Sequence, residues 1–397
     1  MSETEPHDNA ERTITIPALA LVVVASGEVE VAEAFAARHF ADEETIRVEA
    51  GAFEPGDFEE TRAAIARRLI AGQLTVAVIH ADDAELTAAL ARMAHHYDVA
   101  PVAVTLGRAI PLARFPLGPR GYAAAHPLVA PAEWEATRIT RVPLACDLRA
   151  EHGPFDIIGD VHGCYDELVE LLETLGYQRE DDSMRHQAGR RAIFVGDLVD
   201  RGPKVTQVAR LAMRMVAKGQ ALCVPGNHDI KLMRALEGRH VYIAHGLQET
   251  LDQIAALPTE AARASFTRDF IAFIRRIPPY LMLEGGDLVV AHAGLPERYH
   301  GRISERIRVL VFYGETTGWE DEYGHPIRAD WAADYRGAAA VVYGHTPHAE
   351  APWRNNTIDI DTGCVHGGHL TAVRWPERDV VSVAAHREYA HRAGGLH

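Results

Sequence analysis

Lysine is scarce in this 397-residue chain: Lys204, Lys218 and Lys231 are the only three. With 56 acidic against 40 basic residues and a formal charge of −16, the sequence lacks the positive surface through which proteins neutralise long polyanions, so no extended nucleic-acid surface is expected. No apolar run approaches the roughly 18–20 residues that span a bilayer, and the N-terminus is acidic and polar, unlike a secretory leader. The expectation is a soluble, cytoplasmic protein without a membrane partner. Cysteines occur only at 146, 164, 223 and 364, with no C-x-x-C pair, which favours free buried thiols over disulfides. Glycine is sparse in one telling place. The stretch LVVVASGEVEVAEAF, residues 21–35, passes from an apolar strand into a helix where many nucleotide-binding proteins converge glycine N–H groups and a lysine on phosphate. Here a single glycine is accompanied by Glu28, Glu30 and Glu33.

Apolar residues make up 47% of the chain, enough to bury two cores, and the length favours two domains. ALALVVVAS, LTVAVIHA and APVAVTL read as buried strands; EVEVAEAFAARHF, DFEETRAAIARRLIAGQ and DAELTAALARMAHHYD read as helices. Strands and helices alternating in this way predict a parallel sheet covered by helices. The expected organisation is an acidic tail over 1–12, an α/β domain over 13–130, a proline-marked connector over 131–153, a second domain over 154–385 and a frayed tail over 386–397.

Candidate chemistry is concentrated in the second domain. GDVHGC places Asp160 and His162 just after an apolar strand, IFVGDLVDRGP repeats the arrangement with Asp197, and ALCVPGNHD adds Asn227 and His228. LVVAHAG then supplies His292, and AVVYGHTPH supplies His345. Carboxylate, amide and imidazole donors suit Mn2+, Fe or Zn2+ better than Ca2+ or a thiolate site. Six ligands exceed one tetrahedral shell, and Asp197 has two oxygens with which to bridge a pair of ions. Two ions about 3.5–4 Å apart lower the pKa of a shared water and clamp the oxygens of an in-line displacement at phosphorus. Histidines outside such motifs, including His95, His96, His186, His240, His245, His386 and His391, read as ordinary side chains.

In order and content these motifs resemble the phosphoprotein-phosphatase branch of the calcineurin-like metallophosphoesterases over residues 154–385. The resemblance implies a β-sandwich flanked by helices (αββα), with Asp160, His162 and Asp197 on one ion and Asp197, Asn227, His292 and His345 on the other. It also implies that His228 protonates the leaving oxygen, that Asp200 orients this imidazole and keeps it cationic, and that Arg201 binds phosphate oxygens. Arg328 is a further candidate phosphate contact, although an arginine so placed is more often solvated surface. The C-terminal stretch from YGETTG to VVSV is similar to the phosphatase domain of bacterial polynucleotide kinase-phosphatases, in which a P-loop kinase module comes first. That resemblance implies manganese, RNA 2′- or 3′-phosphate ends as substrate, and a degenerate P-loop kinase-like first domain, inactive in transfer and free to engage a protein partner. A serine/threonine phosphatase, a dinucleoside polyphosphate hydrolase and a non-catalytic scaffold are the alternatives.

Overall fold

The computed structural model describes residues 12–49, 59–107, 110–320 and 326–391. The chain divides into two compact units, one of residues 1–144 with 301–307 and the other of residues 145–300 with 308–397.

In the first unit the strands are β1 (Arg12–Pro17), β2 (Ala20–Ser26), β3 (Thr45–Val48), β4 (Thr75–His80), β5 (Ala100–Leu106), β6 (Ala124–Leu128) and β7 (Thr137–Val142). Its helices are α1 (Val29–His39), α2 (Glu59–Ile70), α3 (Ala84–His96) and α4 (Pro131–Ala136). Five strands form a wholly parallel sheet in the order β3-β4-β2-β5-β6, while β1 pairs with β7. β2 is buried throughout because it is covered on both faces. Successive side chains of a strand point to opposite faces, so Leu21, Val23 and Ala25 join Leu69 of α2 and Leu90 of α3 in one layer. Val22 and Val24 join Phe35 of α1 in the other.

The region expected as a connector is structured, since it carries α4 and β7. Pro127 lies within β6, an edge strand, where the missing N–H is tolerated; Pro131 sits in the first turn of α4, where no intrahelical donor is needed. Residues 301–307, expected in the second domain, cluster with the first unit. Arg302 donates to the carbonyls of Leu69 and Ile70, both at 2.8 Å, and of Tyr97 at 2.7 Å. One guanidinium thereby bonds carbonyls at the C-terminal ends of α2 and α3, where intrahelical donors run out, although Leu69 O also accepts from the Gly72 N–H at 3.1 Å.

The second unit holds β8 (Phe155–Ile158), α5 (Tyr165–Leu175), β9 (Tyr177–Glu180), β10 (Ser183–His186), β11 (Arg191–Phe194), α6 (Val205–Ala217) and β12 (Ala221–Cys223). It continues with α7 (Asn227–Leu236), α8 (Leu247–Ala255), α9 (Glu260–Arg276), β13 (Tyr280–Leu283), β14 (Leu288–Ala291), α10 (Glu305–Tyr313, whose residues 305–307 cluster with the first unit), β15 (Thr316–Glu320) and β16 (Pro326–Arg328). The last elements are α11 (Trp331–Asp334), β17 (Ala340–Tyr343), β18 (Thr357–Asp359), β19 (His369–Trp375) and β20 (Val380–Ala384). One sheet runs β12-β11-β8-β19-β20 and another β13-β14-β17-β18. Ile157, Ile193 and Val373 from the first meet Leu281, Val290 and Val342 from the second in a shared apolar layer. The result is a β-sandwich, with α5 and α6 packed against strands of the first sheet. Residues 386–391, expected as frayed, dock instead: the backbone N–H of His386 and the Tyr389 hydroxyl donate to Glu167 at 2.9 and 2.7 Å. Residues 1–11 and 392–397 of the expected tails lie outside the described residues. All four cysteines are buried and free.

Candidate active site

β8, β11 and β12 run parallel in one sheet, and β14, β17 and β18 run parallel in the other. Each is followed within a few residues by a polar donor: Asp160 and His162, Asp197, Asn227, His292, His345 and Asp361. Their backbones are unusual. His162, Asp197, Asp200, Arg201 and His345 all have φ between 43° and 80°, the left-handed region that non-glycine residues avoid and that clusters at functional sites. Glycines supply close approach beside them. A Cβ on Gly226 would lie 2.0 Å from Asp197 Oδ1, and one on Gly344 would lie 2.1 Å from Asp160 Oδ1.

Two trios of donor atoms share Asp197, each with its atoms within 4.8 Å of one another: His162, Asp197 and His228, and Asp197, His292 and His345. Asp197 Oδ2 is 3.5 Å from His162 Nε2, whereas Oδ1 is 3.5 Å from His292 Nε2. His292 Nε2 also lies 3.0 Å from Asn227 Oδ1 and 3.1 Å from His345 Nδ1. Backbone carbonyls fix the ring protons of two imidazoles, with Val199 O 2.8 Å from His162 Nδ1 and Val195 O 3.0 Å from His292 Nδ1. Both rings therefore turn an Nε2 lone pair inward, the arrangement of metal-binding histidines.

Electrostatics make the cluster unfavourable by itself. Burial, followed by the charges of Asp361, Asp197 and Asp359, pushes the Asp160 carboxyl well above the usual carboxylate range. Burial, followed by the Asp229 charge, does the same to Asp197. Burial holds His162 and His292 well below the ordinary imidazole value, helped by Arg201 and by His345 respectively, and lowers His345 to about 3. Asp160 Oδ1 is buried without a hydrogen-bond partner. Imidazole nitrogens that burial keeps neutral, an amide oxygen and crowded buried carboxylates face one another at 3.0–3.5 Å, so the donor set fits a pair of divalent cations.

Beside it, His228 Nδ1 is 2.6 Å from Asp200 Oδ2, and Thr250 Oγ1 donates to Asp200 Oδ1 at 2.7 Å. Asp200 raises the imidazole, but burial weighs more and the net direction is downward, contrary to the expectation of a standing cation. Arg201, expected as a phosphate ligand, places Nη1 2.9 Å from His162 Nε2 and Nη2 3.1 Å from His228 Nε2.

The expected set of Asp160, His162 and Asp197 is not one of the two tight trios among the described residues. Asp160 is held instead against the loop after β17, where its Oδ2 accepts from the His345 N–H at 3.1 Å. Sequence reasoning missed three residues. Asp229 accepts from Leu198 N at 3.0 Å and from Gly226 N at 2.9 Å, tying two loops together. Asp361 adds charge beside Asp160, and Thr250 steadies Asp200. The D-x-D after the short apolar strand of TIDIDTG was a usable signal for Asp361; Thr250, on α8, had none.

Residues 153–349 match the calcineurin-like phosphoesterase family, and the chain belongs to it. It is a metal-dependent hydrolase of phosphate esters, in a family that uses paired divalent metals. Asymmetrical bis(5′-nucleosyl)-tetraphosphatase PrpE of Anoxybacillus flavithermus is 44% identical over 235 residues, which are 59% of this chain and 96% of that protein. The Bacillus velezensis protein of the same name is 45% identical over 235 residues, 59% of this chain and 94% of its own length. These relatives cover only the C-terminal part.

Proposed function

We propose that the second unit hydrolyses phosphate bonds of nucleotides, with dinucleoside polyphosphates as the substrate class. The observation that carries the reading is the convergence on Asp197, whose two oxygens face separate groups of imidazoles. Relatives 44–45% identical over nearly their whole length, named as dinucleoside tetraphosphatases, support the substrate class.

In this reading Asp160, His162 and Asp197 hold one ion and Asp197, Asn227, His292 and His345 hold the other, with Mn2+ as the metal. Bound there, the ions supply Lewis acidity toward water and phosphoryl oxygens. The chain's own groups do the rest. Val199 and Val195 carbonyls keep the inward imidazole nitrogens unprotonated. Once Arg201 turns from the two imidazoles to the substrate, His228 Nε2 is open to carry the proton for the leaving oxygen, while Asp200 accepts from Nδ1 and offsets the charge that this protonation creates against burial. Arg201 offers its planar fork to the substrate's phosphate oxygens.

A second reading places RNA 2′- or 3′-phosphate ends in the same site. It is favoured by the order of the chain, a parallel α/β unit followed by the phosphoesterase. There the first unit is a degenerate P-loop kinase-like scaffold: the turn from β2 to α1 has no lysine, and Glu28 caps the helix without a side-chain hydrogen bond. Such a unit transfers no phosphate and serves to dock a protein partner. The four buried thiols accord with a cytoplasmic setting.

The test is a Mn2+-dependent assay of the full chain on diadenosine tetraphosphate, oligonucleotides ending in 3′- or cyclic phosphate, a phosphopeptide and p-nitrophenyl phosphate. The highest kcat/KM is expected for diadenosine tetraphosphate; preference for oligonucleotide ends would establish the second reading in its place. Asp197→Ala abolishes hydrolysis, and retention of activity in that variant rules out the site.

A further inference from the structure

A hollow of about 280 Å3 opens within the second unit beside His345, and the roles assigned above leave it unused. Its wall is aromatic. The rings of Trp331 and Tyr343 are 5.1 Å apart and tilted by 51°. The indole lies directly on the backbone of Gly294, two residues after His292, where φ is +82° and a Cβ would fall 2.2 Å from Trp331 Cζ2. The glycine of the HAG motif thus makes room for a large flat side chain next to the cluster.

The charges lining the hollow are neutralised with one exception. Arg354 pairs with Asp330 at 2.8 Å, His348 stands 3.5 Å from Asp359, and Glu315 pairs with Arg298. Arg328 has no hydrogen-bond or ion-pair partner among the described residues. Its guanidinium lies over Gly314, where a Cβ would come 3.2 Å from Nη1, and it lines the same hollow as His345. An uncommitted cation between the donor cluster and an aromatic wall matches a ligand that continues from a phosphate under attack, through further phosphate, to a flat ring.

We propose that this hollow seats the nucleoside end of a nucleoside polyphosphate, with the base against Trp331 and the phosphate next to the scissile one on Arg328. The inference rests on the nucleotide reading of the site and specifies it. A simple phosphomonoester has no second phosphate for Arg328 and a phosphopeptide no nucleobase for Trp331, so both residues would determine specificity. Aromatic side chains stack on bases of every kind, and an open hollow of this size suits one small ring system better than a chain of nucleotides.

The experiment compares the full chain with Trp331→Ala and Arg328→Ala in two measurements. One is the ratio of kcat/KM on diadenosine tetraphosphate to that on p-nitrophenyl phosphate, with Mn2+. The other is the affinity for ADP in EDTA, by calorimetry. Each variant is expected to lower the ratio and weaken ADP by roughly tenfold or more. An unchanged ratio with unchanged ADP affinity overturns the proposal, as does an equal fall on both substrates with no loss of ADP binding. If the wild-type chain leaves diadenosine tetraphosphate intact, the substrate reading above has failed, and ADP binding alone decides the hollow. Weaker binding in both variants then upholds it, and equal binding rejects it.

Discussion

Thr250, Asp200 and His228 form a chain of two short hydrogen bonds, 2.7 and 2.6 Å, that ends at the imidazole proposed as proton donor. All three are buried, so each partner left unsatisfied costs about 1–3 kcal/mol. Thr250→Val is therefore expected to lower the unfolding free energy by about that amount in urea titrations. Asp200→Asn, which removes the charge opposing His228, is expected to lower kcat by about a hundredfold or more with a smaller change in KM, read from steady-state kinetics. Equal kcat in wild type and Asp200→Asn would remove Asp200 from the reaction. Asp160, His162, Asp197, Asn227, His292 and His345 were legible because each follows an apolar strand by a few residues, and a strand end fixes where its next polar groups go. Thr250 was not, since it meets Asp200 only through the tertiary fold, 50 residues along the chain.

Elements buried on both faces announced themselves, and half-exposed ones did not. β2, β4 and β5 are continuous apolar runs, whereas β3 is four residues long and only partly buried and β6 contains a proline, so neither carries the pattern of a buried strand. Arg302 resembles any surface arginine in the sequence, yet it is only 7% exposed and closes the ends of two helices. Arg302→Ala removes the guanidinium donor from three carbonyls, of which Leu69 O keeps a second partner in the Gly72 N–H, and a loss of about 2 kcal/mol is expected in urea, with faster amide exchange at the ends of α2 and α3. A pH effect belongs to this scale as well. Arg141 of β7, bonded to Glu44 at 2.7 Å through each nitrogen, holds that carboxyl below its ordinary 4.5. A depressed carboxylate contributes stability above its unfolded value and loses it as pH falls through the folded one. Glu44→Gln is thus expected to cost up to about 1 kcal/mol at neutral pH, with the difference vanishing in acid below the folded value; a constant difference across that range would assign it to packing.

For the whole molecule, the acidic cluster links folding to metal. Ions that bind only the folded chain stabilise it by mass action, about 2.7 kcal/mol at a free concentration one hundred times Kd. Adding Mn2+ to the EDTA-treated chain is expected to raise Tm until the sites are filled and to restore hydrolysis over the same range. Activity restored with no movement of Tm would mean that the crowded carboxylates are relieved in some other way. Five of the residues around this cluster, His162, Asp197, Asp200, Arg201 and His345, hold their chain in a handedness that only glycine accepts freely, yet glycines there would remove five of the side chains assigned to the reaction, the shared Asp197 among them. Directed evolution for heat resistance alone has an easy path at those positions, toward a sturdier protein that does nothing. Robustness and turnover have to be selected together in this chain, because the same few backbone angles decide both.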